Sequence, residues 1–179
     1  PSSSSAASDV YKRQVFTCNQ RHDGRGTFWK DLMTYAREAR DDGHILRPVV
    51  APRPIGVMLG LNGSQNPFSG TPTYRSIEHL PLDQRVEAMS QPDIRAKILS
   101  EDPVKQSTFP LIHRILFTQM FRLGSPANYT PSPEESISAM AQNSGVTPQE
   151  MAYDILLENQ GREFIYAPLV NYANYTMDA

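Results

Sequence analysis

The sequence predicts an α/β fold, and three stretches carry that expectation. Residues 45–68 read ILRPVVAPRPIGVMLGLNGSQNPF, a β-branched run closed by two prolines around an arginine and followed by a Gly/Asn-rich loop. Residues 15–50 have the proportions of a strand, helix, strand unit, the connection expected between parallel strands. Residues 164–170 form an almost continuous apolar run, the pattern of a strand covered on both faces. In the first stretch Val49, Val50 and Ala51 suit a strand buried on both faces, and Pro52 and Pro54, which cannot donate to a ladder, mark its end. Arg53 sits where that strand stops and runs into a site-facing loop. Ligands of parallel α/β sheets and barrels bind at the carboxyl ends of the strands. An arginine held between two prolines there can read a carboxylate; a surface arginine in a proline-rich turn fits the same residues.

Composition narrows the function classes. A chain of 179 residues is long enough for one ordinary domain with a real core. The formal net charge is -2 with both signs scattered, so there is no basic stripe for nucleic acid and no basic amphipathic helix for a membrane surface. Cys18 is the single cysteine, which excludes an intrachain disulfide, and no apolar run reaches the ~18 residues of a membrane span. The expectation is a soluble, cytoplasmic protein of a reducing compartment. The 15 prolines fall at helix starts and strand ends, as ordered punctuation.

Taken in order, residues 1–14 read as a non-native or disordered tail and residues 15–179 as the domain. The tail lacks the apolar stretch of a secretory signal. Ser4 to Gln14, SSAASDVYKRQ, resembles the in-frame translation of a transposon-type sequencing-library adapter, which would start the natural protein near Val15; a native Ser/Ala-rich tail is the alternative. Val15 to Asn19 reads as a short strand ending in polar groups. Thr27 can cap a helix with Phe28, Leu32, Tyr35, Ala36 and Ala39 on one face, and Gly43 is placed to end it. Pro48 removes a ladder donor, so the second strand is started at Val49.

Beyond residue 68 the pattern turns helical. Pro81 and Pro92 sit at first helical positions, leading the stripes Leu82, Val86, Met89 and Ile94, Ile98, Leu99. Leu111, Ile112, Ile115, Leu116 and Phe121 suggest a third helix. Ser132-Pro133-Glu134-Glu135 and Thr147-Pro148-Gln149-Glu150 each place a cap hydroxyl three residues before a glutamate, with proline in the first turn. The second runs through Met151, Ile155 and Leu156 to Gly161. The strand at 164–170 follows, then Asn171, Tyr172 and Asn174, and Thr176 reads as a further helix cap.

Spacing supplies no complete reaction centre. His22, His44, His79 and His113 belong to no His-x-His or His-Glu-x-x-His pattern. Cys18 reads as a small buried hydrophobe, with nucleophile or metal ligand as the reactive alternative. Gly60, Gly63 and Gly70 make no phosphate-binding fingerprint, and no Gly-x-Ser-x-Gly elbow occurs. The acidic residues fall on helix exteriors and caps.

Several spaced stretches together carry a resemblance. They are Val50-Ala51-Pro52-Arg53-Pro54-Ile55-Gly56 with Leu59-Gly60-Leu61 and Asn66-Pro67-Phe68, then Tyr74-Arg75 with Leu80-Pro81-Leu82 and Arg85-Val86. Leu123-Gly124, Pro126, Tyr129, Pro131, Pro133-Glu134 and Ser136 continue the pattern, as do Ala152-Tyr153-Asp154 with Leu156-Leu157, and Asn171-Tyr172. In this order they resemble the middle of the N-acyl-D-amino-acid deacylases, or D-aminoacylases, of the amidohydrolase superfamily, over most of residues 15–179. The resemblance implies an incomplete (β/α)8 TIM-type barrel segment with a helical insertion, from an enzyme that removes the acyl group of an N-acyl-D-amino acid with zinc-activated water. It places most zinc ligands outside this chain. Characterised members carry histidine ligands on two strand ends that correspond here to Cys18-Asn19-Gln20 and to Arg53. This chain departs at both, and a charged arginine cannot ligate a metal.

The leading expectation is therefore an internal piece of such a hydrolase. Asn19, Gln20, Arg53 and Asn171 would line the substrate end, Arg53 would receive the substrate carboxylate, and a small molecule would be the partner, with no nucleic acid and no membrane. Two other readings stand beside it: a cyclic-amide amidohydrolase of the dihydroorotase or hydantoinase kind, and a non-enzymatic interaction domain using the helical middle as a docking surface.

Overall fold

The computed structural model describes residues 14–21, 26–103 and 117–178. The expected tail lies outside these except for Gln14, which opens the first strand and donates its N–H to the Ile45 carbonyl at 2.9 Å. The chain forms two compact units, one of Pro1–Ile55 with Leu169–Ala179 and one of Gly56–Pro168. The α/β class holds: the described residues contain six α-helices and five strands in two small sheets.

In the first unit, β1 (Gln14–Thr17) pairs in parallel with β2 (Leu46–Val49) across the helix α1 (Phe28–Asp41), as the crossover spacing predicts. Gly43 ends α1 at φ 88, with His44 N–H returning to the Ala39 carbonyl at 2.9 Å. Two expectations are corrected here. Pro48 lies inside β2, opposite Phe16. Gln14 and Cys18 donate to Ile45 and Val49, so the odd-numbered residues of β2 bond to β1 and the missing proline N–H falls on the edge that pairs with no strand among the described residues. Val49 and Val50 are 52% and 40% exposed, and Val50 and Ala51 lie past the strand, so this is no doubly buried strand. Tyr35, expected on the packed face of α1, is also exposed.

The second unit corrects the loop expected after Pro54. Residues Ile55–Gly60 form β3, which lies beside β5 (Phe164–Val170), and β4 (Phe121–Arg122) takes the other side of β5. Gly56 lies against Ala167 and Pro168 while Gly60 lies against Phe164, so β3 runs antiparallel to β5, as β4 does. The described residues show no closed barrel. They show one parallel pair and one antiparallel three-stranded sheet.

Helices α2 (Pro72–Ile77), α3 (Leu82–Met89), α4 (Pro92–Ser100), α5 (Ile137–Ser144) and α6 (Pro148–Gly161) build the rest of this unit. Its core joins Leu59, Leu61, Phe68, Met89, Ile98, Ile137, Tyr153, Leu156 and Ile165, so the stripes on α3 and α4 point inward as their spacing predicts. Tyr153 is fully buried, stacks edge-on to Phe68 at 5.2 Å and donates its hydroxyl to the Met89 carbonyl at 2.8 Å. Burial pushes its phenol up to about 12.

Helix starts follow the sequence with small displacements. Pro92 is the first helical residue of α4, whereas Pro81 is the cap of α3. Ser132 opens a 3-10 turn at Pro133–Glu135, and Ser136 caps α5 instead, accepting the Ala139 N–H at 3.2 Å. Of the expected third helix, residues 111–116 lie outside the described ones, Phe117–Gln119 is a 3-10 turn and Phe121 is in β4. Thr176 begins no helix among the described residues; it turns back to the Ala173 carbonyl. The Thr147 cap of α6 is as expected: Glu150 N–H donates to Thr147 Oγ1 at 3.2 Å and Thr147 N–H to Glu150 Oε2 at 2.8 Å. Regular helix in α6 stops before Glu158, and Asn159, Gln160 and Gly161 follow with φ of 48, 57 and 77.

Two expected outcomes follow from these ends. Gly161 needs its positive φ, and an added Cβ would meet Val86 Cγ2 at 2.6 Å. Gly161→Ala should therefore cost about 2 kcal/mol or more in urea unfolding. Hydrogen bonds from the Thr147 backbone and hydroxyl, with help from Arg95, hold the Glu150 carboxyl below its ordinary value. A depressed carboxyl contributes its stability above the unfolded-state pKa and loses it as pH falls through the folded one. The urea-midpoint gap between wild type and Thr147→Ala should be widest at neutral pH and narrow on acidification.

Candidate functional site

The strand ends of the first unit gather the polar residues singled out above. After Thr17 the chain of β1 keeps one further ladder bond, Cys18 N–H to the Val49 carbonyl at 2.9 Å, and then leaves the sheet at Asn19. β5 ends at Val170, opposite Arg21 in an isolated antiparallel bridge. There Asn171 turns the chain with φ 61, a left-handed conformation that asparagine tolerates better than most residues. The turn lets Asn171 bond three ways. Its N–H donates to the Gln20 carbonyl at 2.8 Å, its Oδ1 accepts the Gln20 N–H at 3.1 Å, and its Nδ2 donates to the Ala51 carbonyl at 3.4 Å. One asparagine thus ties together the chain just past β1, just past β2 and at the end of β5.

Gln20 is the second buried member. Its Nε2 donates to the Ala173 carbonyl and to Thr176 Oγ1, each at 3.4 Å. Those acceptors fix the amide so that Oε1 is the other end, and Oε1, like Asn19 Oδ1, is buried without a hydrogen-bond partner among the described residues. Gln20 and Asn171 are each 2% exposed, so they form the wall of the strand end. Arg53 is exposed, two residues beyond the Ala51 carbonyl that Asn171 holds. Asn174 and Tyr175 carry φ of 53 and 61. Three non-glycine residues in the left-handed region within five positions store backbone strain at this strand end, where functional sites often keep it.

The donor set does not suit a metal ion. The residues at the two matched positions are amides, an arginine and Cys18, and no group of three or more His, Cys, Asp or Glu side chains meets among the described residues. His44 and His79 lie apart from the strand ends in sequence, while His22 and His113 lie outside the described residues. Cys18 is 4% exposed and its Sγ lies 3.7 Å from the Trp29 carbonyl. Burial raises its thiol pKa, which lowers the thiolate fraction that nucleophilic or metal chemistry needs.

The second unit holds a separate cleft of about 360 Å³ beside Leu61, Ser64, Glu78 and Arg85. Its arginine is spent on structure. Arg85 donates to the Leu61 and Leu80 carbonyls, both at 2.9 Å, and to the Tyr74 hydroxyl at 3.2 Å, stapling the loop after β3 to the start of α3. Sequence reasoning named Asn19, Gln20, Arg53 and Asn171 as candidates from polarity at strand ends. It missed Ala51, Ala173 and Thr176, because two of these act through main-chain carbonyls, which no side-chain type announces.

The buried, raised thiol makes a direct test of this geometry. Cys18 should react with a disulfide reagent at pH 8 far more slowly in the native chain than in denaturant, and equal rates would place it at the surface. No protein-family model matches the chain, and no curated protein or solved structure matches it either.

Proposed function

We propose that the chain is the substrate-holding interior portion of an amidohydrolase that acts on N-acyl-D-amino acids. In this reading the strand end around Asn171 receives the amino-acid half of the substrate, with Arg53 on its carboxylate. One observation carries it: Asn171 joins the ends of three strands, and Arg53, an exposed residue, stands two positions past the carbonyl it holds. A planar guanidinium offers two parallel N–H donors to a carboxylate, and the flanking prolines limit the backbone that presents it. Gln20 and Asn171, being buried, hold the wall while Arg53 makes the contact.

The β1–α1–β2 unit is the single parallel crossover among the described residues. In the proposed barrel it would be one repeat, with further strands completing it from outside the described residues. The exposed apolar residues Val15, Val49 and Val50 support that arrangement, since both faces of a barrel strand are covered, one by the barrel interior and the other by the outer helices. The described residues bind and orient; they do not hold zinc, which in this reading is bound by the ligands that the resemblance places mostly beyond this chain.

Arg53→Lys in the complete enzyme tests the assignment. Lysine keeps the charge and loses the fork, so KM for N-acyl-D-amino acids should rise about tenfold with kcat little changed. An unaltered KM removes Arg53 from the carboxylate. Activity on cyclic amides in place of N-acyl substrates would transfer the site to the ring-opening class.

A further inference from the structure

We infer that Asn171 is a positioning residue that sets the aim of Arg53 and so the selectivity of this strand end for a free carboxylate; the inference rests on the reading just given. The argument is one of backbone torsions. Asn171 Nδ2 pins the Ala51 carbonyl at 3.4 Å, while Asn171 Oδ1 is held by the Gln20 N–H at 3.1 Å, so the amide cannot rotate away without breaking the second bond. The Ala51–Pro52 peptide is planar, which carries the orientation of that carbonyl to the Pro52 ring, and the ring fixes the next φ. Only Pro52 ψ is then soft between the pinned carbonyl and the Arg53 Cα.

Beyond Arg53 the chain is held again. A residue before proline is confined to extended conformations, and Pro54 is buried. The arginine therefore sits in a short span with a side-chain anchor on one flank and a buried ring on the other. The placement of its Cα therefore depends on Asn171, far later in the sequence. The left-handed φ of 61 at Asn171 is what presents both ends of the amide to Gln20 and Ala51 at once.

The test separates positioning from general support of the fold. The full chain is titrated with N-acetyl-D-leucine and with its methyl ester, which lacks the charged carboxylate. The wild type should prefer the acid by about tenfold or more, and Arg53→Gln should erase that preference. Asn171→Asp retains an acceptor for Gln20 N–H but replaces the donor to Ala51 with a second acceptor. It should reduce the acid-over-ester ratio by about tenfold. Asn171→Gly keeps the left-handed turn, loses both side-chain bonds and adds no charge beside the carboxylate, so it should show the same loss of ratio if positioning, and not the new charge of the aspartate, is responsible. An unchanged ratio in either folded variant, or equal weakening of acid and ester, overturns the positioning role and leaves Arg53 as the carboxylate reader. A wild type that binds acid and ester equally overturns the reading of Arg53 and this inference with it.

Discussion

Main-chain groups released where a helix or strand stops must find partners, and in this protein the buried polar side chains are spent on that requirement. Among the described residues five such side chains are buried: Gln20, Asn66, Thr71, Ser136 and Asn171. Asn66 receives the Phe68 N–H at 2.9 Å in the turn after β3, and Thr71 donates to the Phe68 carbonyl while accepting the Tyr74 N–H at the start of α2. Ser136 Oγ accepts the Ala139 N–H at the start of α5. Gln20 and Asn171 serve the strand ends of the other unit. An orphaned buried amide costs about 1–3 kcal/mol, so these positions are fixed by the ends they close. The candidate site arises at the place where this closure leaves amide oxygens over.

How much of this was legible in the sequence depends on which atoms act. The cap at Thr147, the stop at Gly43 and the strand at 164–170 were readable because side-chain type announces them: a hydroxyl three residues before a glutamate, a glycine after a helical stripe, an unbroken apolar run. β3 was not. Its Gly56 and Gly60 read as loop residues, yet they are needed inside the strand, where an added Cβ would lie 2.7 Å from the Tyr166 ring and 2.6 Å from the Phe164 ring. Pro48 misled in the same way, because its tolerance depends on which edge of β2 faces solvent. Asn171 was visible as a polar residue past a strand, but its left-handed turn and its partners 120 and 151 residues away were not.

The residues behind the family resemblance have mostly architectural duties within 56–168. Arg85 staples two loops, Asn66 and Phe68 form the turn that leads into α2, and Tyr153 anchors α6 to the Met89 carbonyl. A likeness concentrated in such positions bears first on how this unit packs. The chemistry has to be argued from the other unit, from Arg53 and the strand ends, where the proposed family reading would put histidines and this sequence has none.

The open flank of β1 and β2 has a bearing on how the chain behaves in solution. Val15, Val49 and Val50 present 63%, 52% and 40% of their surface to water beside strand edges that pair with no further strand among the described residues, and a net charge of only -2 offers little mutual repulsion between molecules. Colloidal behaviour will therefore be governed by this ribbon, which gives concentrated solutions a template for edge-to-edge growth and makes a charged or proline-bearing outer strand the natural remedy.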